Sequence, residues 1–129
     1  MKTLAQTRAL SAWKLRDVNT AGAEGGAVLK RLPAMVMRNG LLTTLWSAVE
    51  KNGEGQLRNK GMWGVMAVAA KHCKDMGITK SEGPEELKAE LGGGNSELLR
   101  AATREIMAWL AFAKRVPSPK NAPSPEEAP

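Results

Sequence analysis

The sequence predicts an all-α protein, a compact single-domain bundle of five to six helices. Residues that favour helices dominate the chain, and it contains no uninterrupted run of β-branched residues. Its length of 129 residues is enough for one domain with a single core. Apolar residues make up 43% of the chain, but Tyr is absent and there is one Phe, so Trp, Met, Leu, Val and Ala must fill that core.

The first predicted helix covers residues 3–18. Its apolar residues fall on one broad side of a helical wheel, the side that is predicted to face the core: Leu4, Ala5, Ala9, Ala12, Trp13, Leu15 and Val18. Residues 19–26 contain three glycines, which are poor helix formers, so we expect a loop there.

Residues 27–51 are predicted to form two helices with a sharp break between them. Pro33 suits the first turn of a helix, where its missing N–H is not needed. Asn39 and Gly40 then supply the turn geometry that ends this short helix and begins a longer one. Residues 52–55, Asn-Gly-Glu-Gly, break the chain again.

Three more helices are predicted in the second half of the chain. One spans residues 57–76, with Gly77 as its candidate C-cap, and a short one spans residues 84–91. A glycine hinge at residues 92–94 precedes the last helix, for which residue 95 or 96, Asn or Ser, is the N-cap. The last helix carries a stripe of apolar residues at helical spacing, predicted to face the core: Leu99, Ala102, Ile106, Trp109, Leu110 and Ala113.

The four tryptophans lie in such apolar stripes and are predicted to anchor the core, whereas an exposed tryptophan would indicate a docking surface: Trp13, Trp46, Trp63 and Trp109. The end of the chain differs in composition. Five of its last thirteen residues are proline and none is a large apolar residue, so they cannot bury enough surface to order themselves. We therefore predict a helical domain over residues 1–116 and a disordered tail over residues 117–129.

Three stretches of the chain resemble, in the same order, stretches of a known family. Residues 32–41 follow the pattern LPxxVxxNGL, residues 4–9 read Leu-Ala-Gln-Thr-Arg-Ala, and residues 100–105 read Arg-Ala-Ala-Thr-Arg-Glu before a Trp-Leu pair. The chain is similar to the small α-helical subunit of the type III-B CRISPR effector, the RNA-targeting Cmr complex. The resemblance covers residues 1–116.

The resemblance implies a non-catalytic subunit of a ribonucleoprotein complex that acts in antiviral defence. Small subunits of this family line the inner filament beside the RAMP-type backbone subunits, which cleave the target RNA. The implied partners are guide RNA, target RNA, the backbone subunits and other copies of the chain. The implied role is to hold the duplex of guide RNA and target RNA through its phosphates.

The charge distribution also indicates a polyanionic partner. Residues 1–80 contain 13 Lys and Arg against five Asp and Glu, a net charge of +8, whereas residues 81–129 have a net charge of −2. On the helix predicted for residues 57–76, lysines alternate with small residues on one face, so that a partner backbone can approach closely. A solvated surface is the alternative interpretation of that face. On charge and position, the candidate RNA-binding residues are Arg8, Arg16, Lys30, Arg31, Arg38, Lys60, Lys71 and Lys74.

No catalytic residue, cofactor or metal site is predicted. His72 and Cys73 are adjacent on a helix and point about 100° apart, which does not suit a nucleophile and its base. The chain has one cysteine and one histidine, too few for a typical zinc site. A single cysteine also allows no internal disulfide, which fits a reducing cytoplasm. No apolar run reaches the roughly 18 residues that a membrane span requires.

Two other functions remain compatible with the sequence. One is a helical protein–protein adaptor that makes little contact with nucleic acid. The other is the small subunit of the related type III-A complex, which is also helical.

Overall fold

Six α-helices make up most of the part of the chain that the computed structural model describes, residues 2–18 and 27–116. They are α1 (Leu4–Ala12), α2 (Ala27–Asn39), α3 (Leu41–Val49), α4 (Lys60–Asp75), α5 (Pro84–Gly93) and α6 (Ser96–Ala113). A short 3₁₀ helix, Trp13–Asp17, follows α1. The predicted all-α bundle is confirmed. The predicted loop at residues 19–26 and the predicted tail at residues 117–129 lie outside the described residues.

The last helix, α6, packs against α1, α2, α3 and α4 and carries the centre of the core. Its predicted apolar stripe is confirmed, because Leu99 is half-buried and the other five residues are buried. Asn95 is the N-cap: the backbone N–H of Leu98 donates to its side-chain oxygen at 2.8 Å.

The helix predicted for residues 57–76 is α4, which begins three residues later because Asn59 caps it. The backbone N–H of Met62 donates to Asn59 Oδ1 at 2.9 Å. At the other end, Gly77 has a φ of 78°, a conformation that glycine adopts without strain. Its N–H donates to the carbonyl of Lys74 at 2.9 Å, so the predicted glycine cap is confirmed.

Gly40, with a φ of 88°, separates α2 from α3, which confirms the predicted break. Pro33, however, lies inside α2 rather than in its first turn, so its predicted position was wrong. Its ring leaves the carbonyl of Leu29 without a helical donor and costs about 3 kcal/mol. Burial of Val28 and Leu32 on the inner face of α2 offsets that cost, because each contributes about 1.5–3 kcal/mol.

The short predicted helix is α5, which begins at Pro84 as expected and runs to Gly93. Two of the three glycines at residues 92–94 therefore belong to the helix, and the predicted hinge was wrong for them. Glu90 ties this helix to the segment before it, since its carboxylate accepts the backbone N–H groups of Lys80 and Ser81 at 3.1 Å.

Two of the four tryptophans do not anchor the core as predicted. Trp109 is fully buried and Trp63 is half-buried, but Trp13 is 47% exposed and Trp46 is 58% exposed. The helix predicted for residues 3–18 ends at residue 12 and continues as the 3₁₀ helix, whose tighter turn places Trp13 on the solvent side. Three other residues of the predicted apolar side of α1 are also exposed: Leu4, Ala5 and Ala9.

Trp46 is exposed because a different side of α3 faces the core. Leu41, Leu45 and Ala48 are buried, and Thr44 is buried with them. The Thr44 hydroxyl donates to the carbonyl of Gly40 at 2.9 Å, so this polar side chain is satisfied within its own helix. A threonine therefore occupies an inward position that apolar periodicity alone would not assign to it.

A close contact joins the end of the 3₁₀ helix to α4. A Cβ atom built on Gly64 would lie 2.7 Å from Cγ1 of Val18, closer than real Cβ atoms approach their neighbours. A side chain at position 64 would therefore clash with the segment that follows α1. This contact holds the N-terminal segment on α4.

We expect Gly64→Ala to lower the free energy of unfolding by roughly 1–2 kcal/mol, although alanine is the better helix former by about 1 kcal/mol. Gly93→Ala is the matched control, because nothing lies within 4 Å of the added Cβ and the residue is helical. It should raise the free energy of unfolding by up to about 1 kcal/mol. Urea denaturation measures both; equal effects of the two substitutions would contradict the packing role of Gly64.

Candidate nucleic-acid interface

The structure places the eight predicted RNA-binding residues in four different settings. Three lie on the outer face of α2, three lie on α4, one lies over an exposed tryptophan, and one belongs to a buried ion pair. The first set is therefore the most direct candidate for contact with a polyanion.

The outer face of α2 carries Lys30, Arg31 and Arg38, all of them exposed. It arises because Val28, Leu32 and Val36 recur at intervals of four residues and are buried, which turns the opposite side of the helix to solvent. The three cations span about a third of the helix circumference. α2 itself contains no acidic residue.

Two small or flexible residues complete this face. Ala34 lies between the cations and is exposed, and Met37 is 77% exposed. A small residue flanked by cations allows a phosphate backbone to come close to the helix. The arrangement that the sequence predicted on the fourth helix is thus present on α2.

The predicted face of α4 is less open than expected. Lys60 is exposed at the first position of the helix, but Val18 covers Gly64, so the predicted access for a partner backbone at this glycine was wrong. Lys71 Nζ lies 3.0 Å from Asp75 Oδ1, and Lys74 Nζ lies 2.8 Å from a carboxylate oxygen of residue 82. The hydrogen bond to Asp75 raises the pKa of Lys71, and both ammonium groups already have anionic partners.

Arg8 forms a bidentate ion pair with Glu105, a residue that the sequence did not single out. Arg8 Nε lies 2.8 Å from one carboxylate oxygen of Glu105 and Nη2 lies 2.9 Å from the other. The exposed fractions of the two side chains are 22% and 8%. The only sequence signal for this pair was a lone carboxylate within the apolar stripe of α6.

His72 completes the buried cluster, because its Nε2 lies 2.9 Å from the same carboxylate of Glu105. The hydrogen bonds from Arg8 hold the pKa of Glu105 below its usual value against the opposing effect of burial, and His72 adds to the lowering. An ionised carboxylate only accepts hydrogen bonds, so Nε2 of His72 carries the proton. The His72 ring also stacks on Trp109, with ring centroids 6.1 Å apart.

Arg16 lies over the exposed face of Trp13, with its guanidinium carbon 5.4 Å from the ring centroid. Lys88 similarly lies over Trp46, with Nζ 3.7 Å from the centroid. Each is a cation–π contact at an exposed site, which contributes about 0.5–1 kcal/mol. Both cations remain at the surface.

The adjacent residues His72 and Cys73 both lie in buried environments. Burial, together with the charges of Glu105 and Glu90, raises the pKa of the Cys73 thiol to about 12, so it is protonated at neutral pH. The imidazole of His72 is bound to Glu105 instead. Within the described ranges, no three His, Cys, Asp or Glu side chains are grouped so that they could hold a metal ion.

Comparison with known proteins supplies one match. The family model described as CRISPR-associated protein (Cas_Cmr5) matches residues 4–118 of the chain. No curated protein and no solved structure matches it. Among the described residues, no helix is both long enough and apolar enough to cross a membrane.

Proposed function

The chain belongs to the Cas_Cmr5 family, the small subunits of type III-B CRISPR complexes, and from this premise we propose that it holds the duplex of guide RNA and target RNA through phosphate contacts. In this role it is a non-catalytic subunit of the inner filament, packed beside RAMP-type backbone subunits and other copies of itself. The complex serves antiviral defence in the cytoplasm.

The outer face of α2 is the observation that carries this proposal. Three cations, Lys30, Arg31 and Arg38, are exposed on this face, and Ala34 leaves room between them. Lys and Arg contacts to phosphates supply most of the sequence-independent affinity for nucleic acid. The face carries no aromatic residue, so base stacking has no platform there and phosphate contact is the mode that fits.

A non-catalytic role is supported by the hydrogen-bond partners and the burial of the reactive side chains. Glu105, His72 and Arg8 bind one another, and Cys73 is buried as a neutral thiol. Each of these groups therefore has a structural partner or lies in a buried environment.

The family match favours the type III-B complex over the type III-A alternative. The exposed Trp13 and Trp46 are the observation in favour of the adaptor alternative, because tryptophan is enriched at protein interfaces. The two functions differ in one measurable respect: an adaptor assembles normally after its cations are neutralised, and its association with RNA does not depend on α2.

We expect the combined variant Lys30→Gln, Arg31→Gln and Arg38→Gln to remain folded and to bind RNA duplexes more weakly. The loss should be similar for two duplexes of unrelated sequence, because phosphate contacts do not read bases. The slope of log affinity against log salt should fall in magnitude by about 2–3, since each contact contributes about 0.7–0.9. Fluorescence anisotropy at several salt concentrations measures the slope, and circular dichroism checks the fold.

The comparison variant is Lys60→Gln, Lys71→Gln and Lys74→Gln, which removes the same charge from α4. Its effect on RNA binding should be smaller, because two of its three lysines already bind carboxylates. A larger effect from the α4 variant would indicate that RNA contacts α4 rather than α2. Unchanged RNA binding by both variants, with normal incorporation into the complex, would favour the adaptor.

A further inference from the structure

A groove of about 640 Å³ opens between the start of α3 and the middle of α6. The turn at Asn39 and Gly40, with the first residues of α3, forms one wall, and α6 forms the other. Residues from two of the stretches that resemble the family, 32–41 and 100–105, therefore line this groove. None of the residues that line it belongs to the candidate RNA-binding face of α2.

The α6 wall consists of two parallel rows of side chains. Leu99, Thr103 and Met107 recur every four residues and line the groove, while Arg100 and Arg104 follow the same spacing beside them. Leu99 and Met107 are half-buried against the core, as is Leu42 on the opposite wall. The groove thus has an apolar floor with two guanidinium groups along one edge.

Both guanidinium groups are available to an anionic partner. Among the described residues, Arg100 makes hydrogen bonds within its own helix, to the carbonyl of Ser96 at 3.4 Å and to the hydroxyl of the same residue at 3.3 Å. Arg104 forms an ion pair with no carboxylate in the described part of the chain, and the neighbouring Glu105 is bound to Arg8. A carboxylate that reached this edge would therefore displace only weak local contacts.

We propose that this groove binds a segment of a different polypeptide of the complex, one that places an apolar side chain on the floor and an adjacent carboxylate on Arg100 and Arg104. The inference deepens the proposed function and rests on it, because it requires that the chain is a subunit of an assembly. Arg and Met are enriched at protein interfaces, and Arg binds carboxylates in a bidentate geometry.

RNA fits this groove less well than a protein segment does. The two arginines can bind a phosphate, but a nucleic-acid backbone has no apolar group to place on the floor, and the lining contains no aromatic side chain on which a base can stack. A second copy of the chain also fits poorly. Of its exposed large apolar residues, Leu4, Leu10 and Met37 have no Asp or Glu within four positions. A cation that the two arginines would repel lies over the ring of each of the others, Trp13 and Trp46.

Site-specific photo-cross-linking in the assembled complex tests the inference. A photoreactive amino acid in place of Asn39, an exposed residue at the rim, should cross-link to one segment of another polypeptide, identified by mass spectrometry. That segment should contain an apolar residue within four positions of Asp or Glu. Cross-links to RNA, to a second copy or to residues 117–129 of the same chain would overturn the inference, as would the absence of any cross-link.

The same photoreactive residue in place of Ala34, on the outer face of α2, separates the two proposals. It should cross-link to RNA if the proposed function is correct, whatever occupies the groove. Failure at Ala34 with a protein cross-link at Asn39 would contradict RNA contact by α2 and leave the groove inference standing; the reverse result would do the opposite.

Arg100→Gln combined with Arg104→Gln should reduce the yield of the Asn39 cross-link at least about tenfold, because the segment loses both partners of its carboxylate. The melting temperature should not change by more than a few degrees, since both side chains are exposed. Lys114→Gln combined with Arg115→Gln is the matched control, with the same change in charge at exposed residues outside the groove. An equal loss of cross-link in both double variants would overturn the proposed role of the arginines.

Discussion

Replacing Trp109 by alanine should lower the free energy of unfolding by about 3–5 kcal/mol, the range found when a large buried aromatic side chain is truncated. Trp109 has no solvent exposure and lies on α6, the helix that packs against four others. The substitution also removes the ring on which His72 stacks. Urea denaturation followed by circular dichroism measures the change.

Trp46→Ala is the matched control for this prediction. Trp46 is 58% exposed, and its cation–π contact with Lys88 is an exposed one, so the same substitution should cost less than about 1 kcal/mol. A comparable loss in both variants would show that Trp109 is not the specific anchor of the core.

Trp109→Phe should cost much less than the alanine substitution. The indole Nε1 of Trp109 is buried and has no hydrogen-bond partner among the described residues. An unsatisfied buried donor costs about 1–3 kcal/mol, and phenylalanine removes it while it keeps most of the aromatic packing. The cost of the smaller ring is therefore partly offset.

We expect Glu105→Gln to lower the free energy of unfolding at neutral pH by about 3 kcal/mol. Loss of one partner of a buried ion pair costs about 3–5 kcal/mol, and the low end applies because Arg8 keeps some access to water. Glutamine preserves the size of the side chain, so the loss reports its charge and hydrogen bonds. Glu54→Gln is the control, since Glu54 is exposed.

The effect of Glu105→Gln should depend on pH in a defined direction. The pKa of Glu105 is lowered in the folded protein, so its ionised form stabilises the fold fully above the unfolded-state pKa of about 4.3. This contribution is lost as the pH falls from that value through the lower folded-state pKa. The difference between the variant and the natural chain should therefore shrink below about pH 4.3; a difference that grows with acid would contradict the ion pair.

A double-mutant cycle tests whether Arg8 and Glu105 act as a unit. Arg8→Met and Glu105→Gln should each destabilise the protein, and the combined variant should lose less than the sum of the two. We expect a coupling energy of about 1–3 kcal/mol, as for residues in one buried network. Additive losses of the free energy of unfolding would indicate that Glu105 stabilises the fold through His72 and not through Arg8.

Local features of the structure follow from the sequence because their causes are local. The cap at Asn95, the left-handed conformation of Gly77 and the break at Gly40 each depend on a few neighbouring residues, whose chemistry can be recognised in the sequence. The apolar stripe of α6 is equally legible, because helical spacing alone aligns its residues. These features were sufficient to identify an all-α bundle and, with the order of three stretches, its family.

In helices whose polar residues pack inward, only the tertiary structure decided which side faces the core. Arg8 and Glu105 are 97 residues apart, and hydrogen bonds with Arg8 and His72 allow the Glu105 carboxylate to be buried. Thr44 is satisfied by its own helix and occupies an inward position, while Trp46 faces solvent. Hydrophobic periodicity assumes that charged and polar side chains point outward, and these partners remove the reason for that assumption.

The placement of the candidate interfaces also required the fold. Sequence spacing put the lysines of α4 on one face of that helix, and charge and position nominated the basic residues of α2. Neither carried information on what covers these residues. Val18 covers Gly64 on α4 and carboxylates bind two of its lysines, whereas Lys30 and Arg38 of α2 are exposed. A helix specifies the direction of its side chains; the surface they form depends on the helices and loops that pack beside them, because those neighbours decide which cations are already neutralised and which remain for a partner.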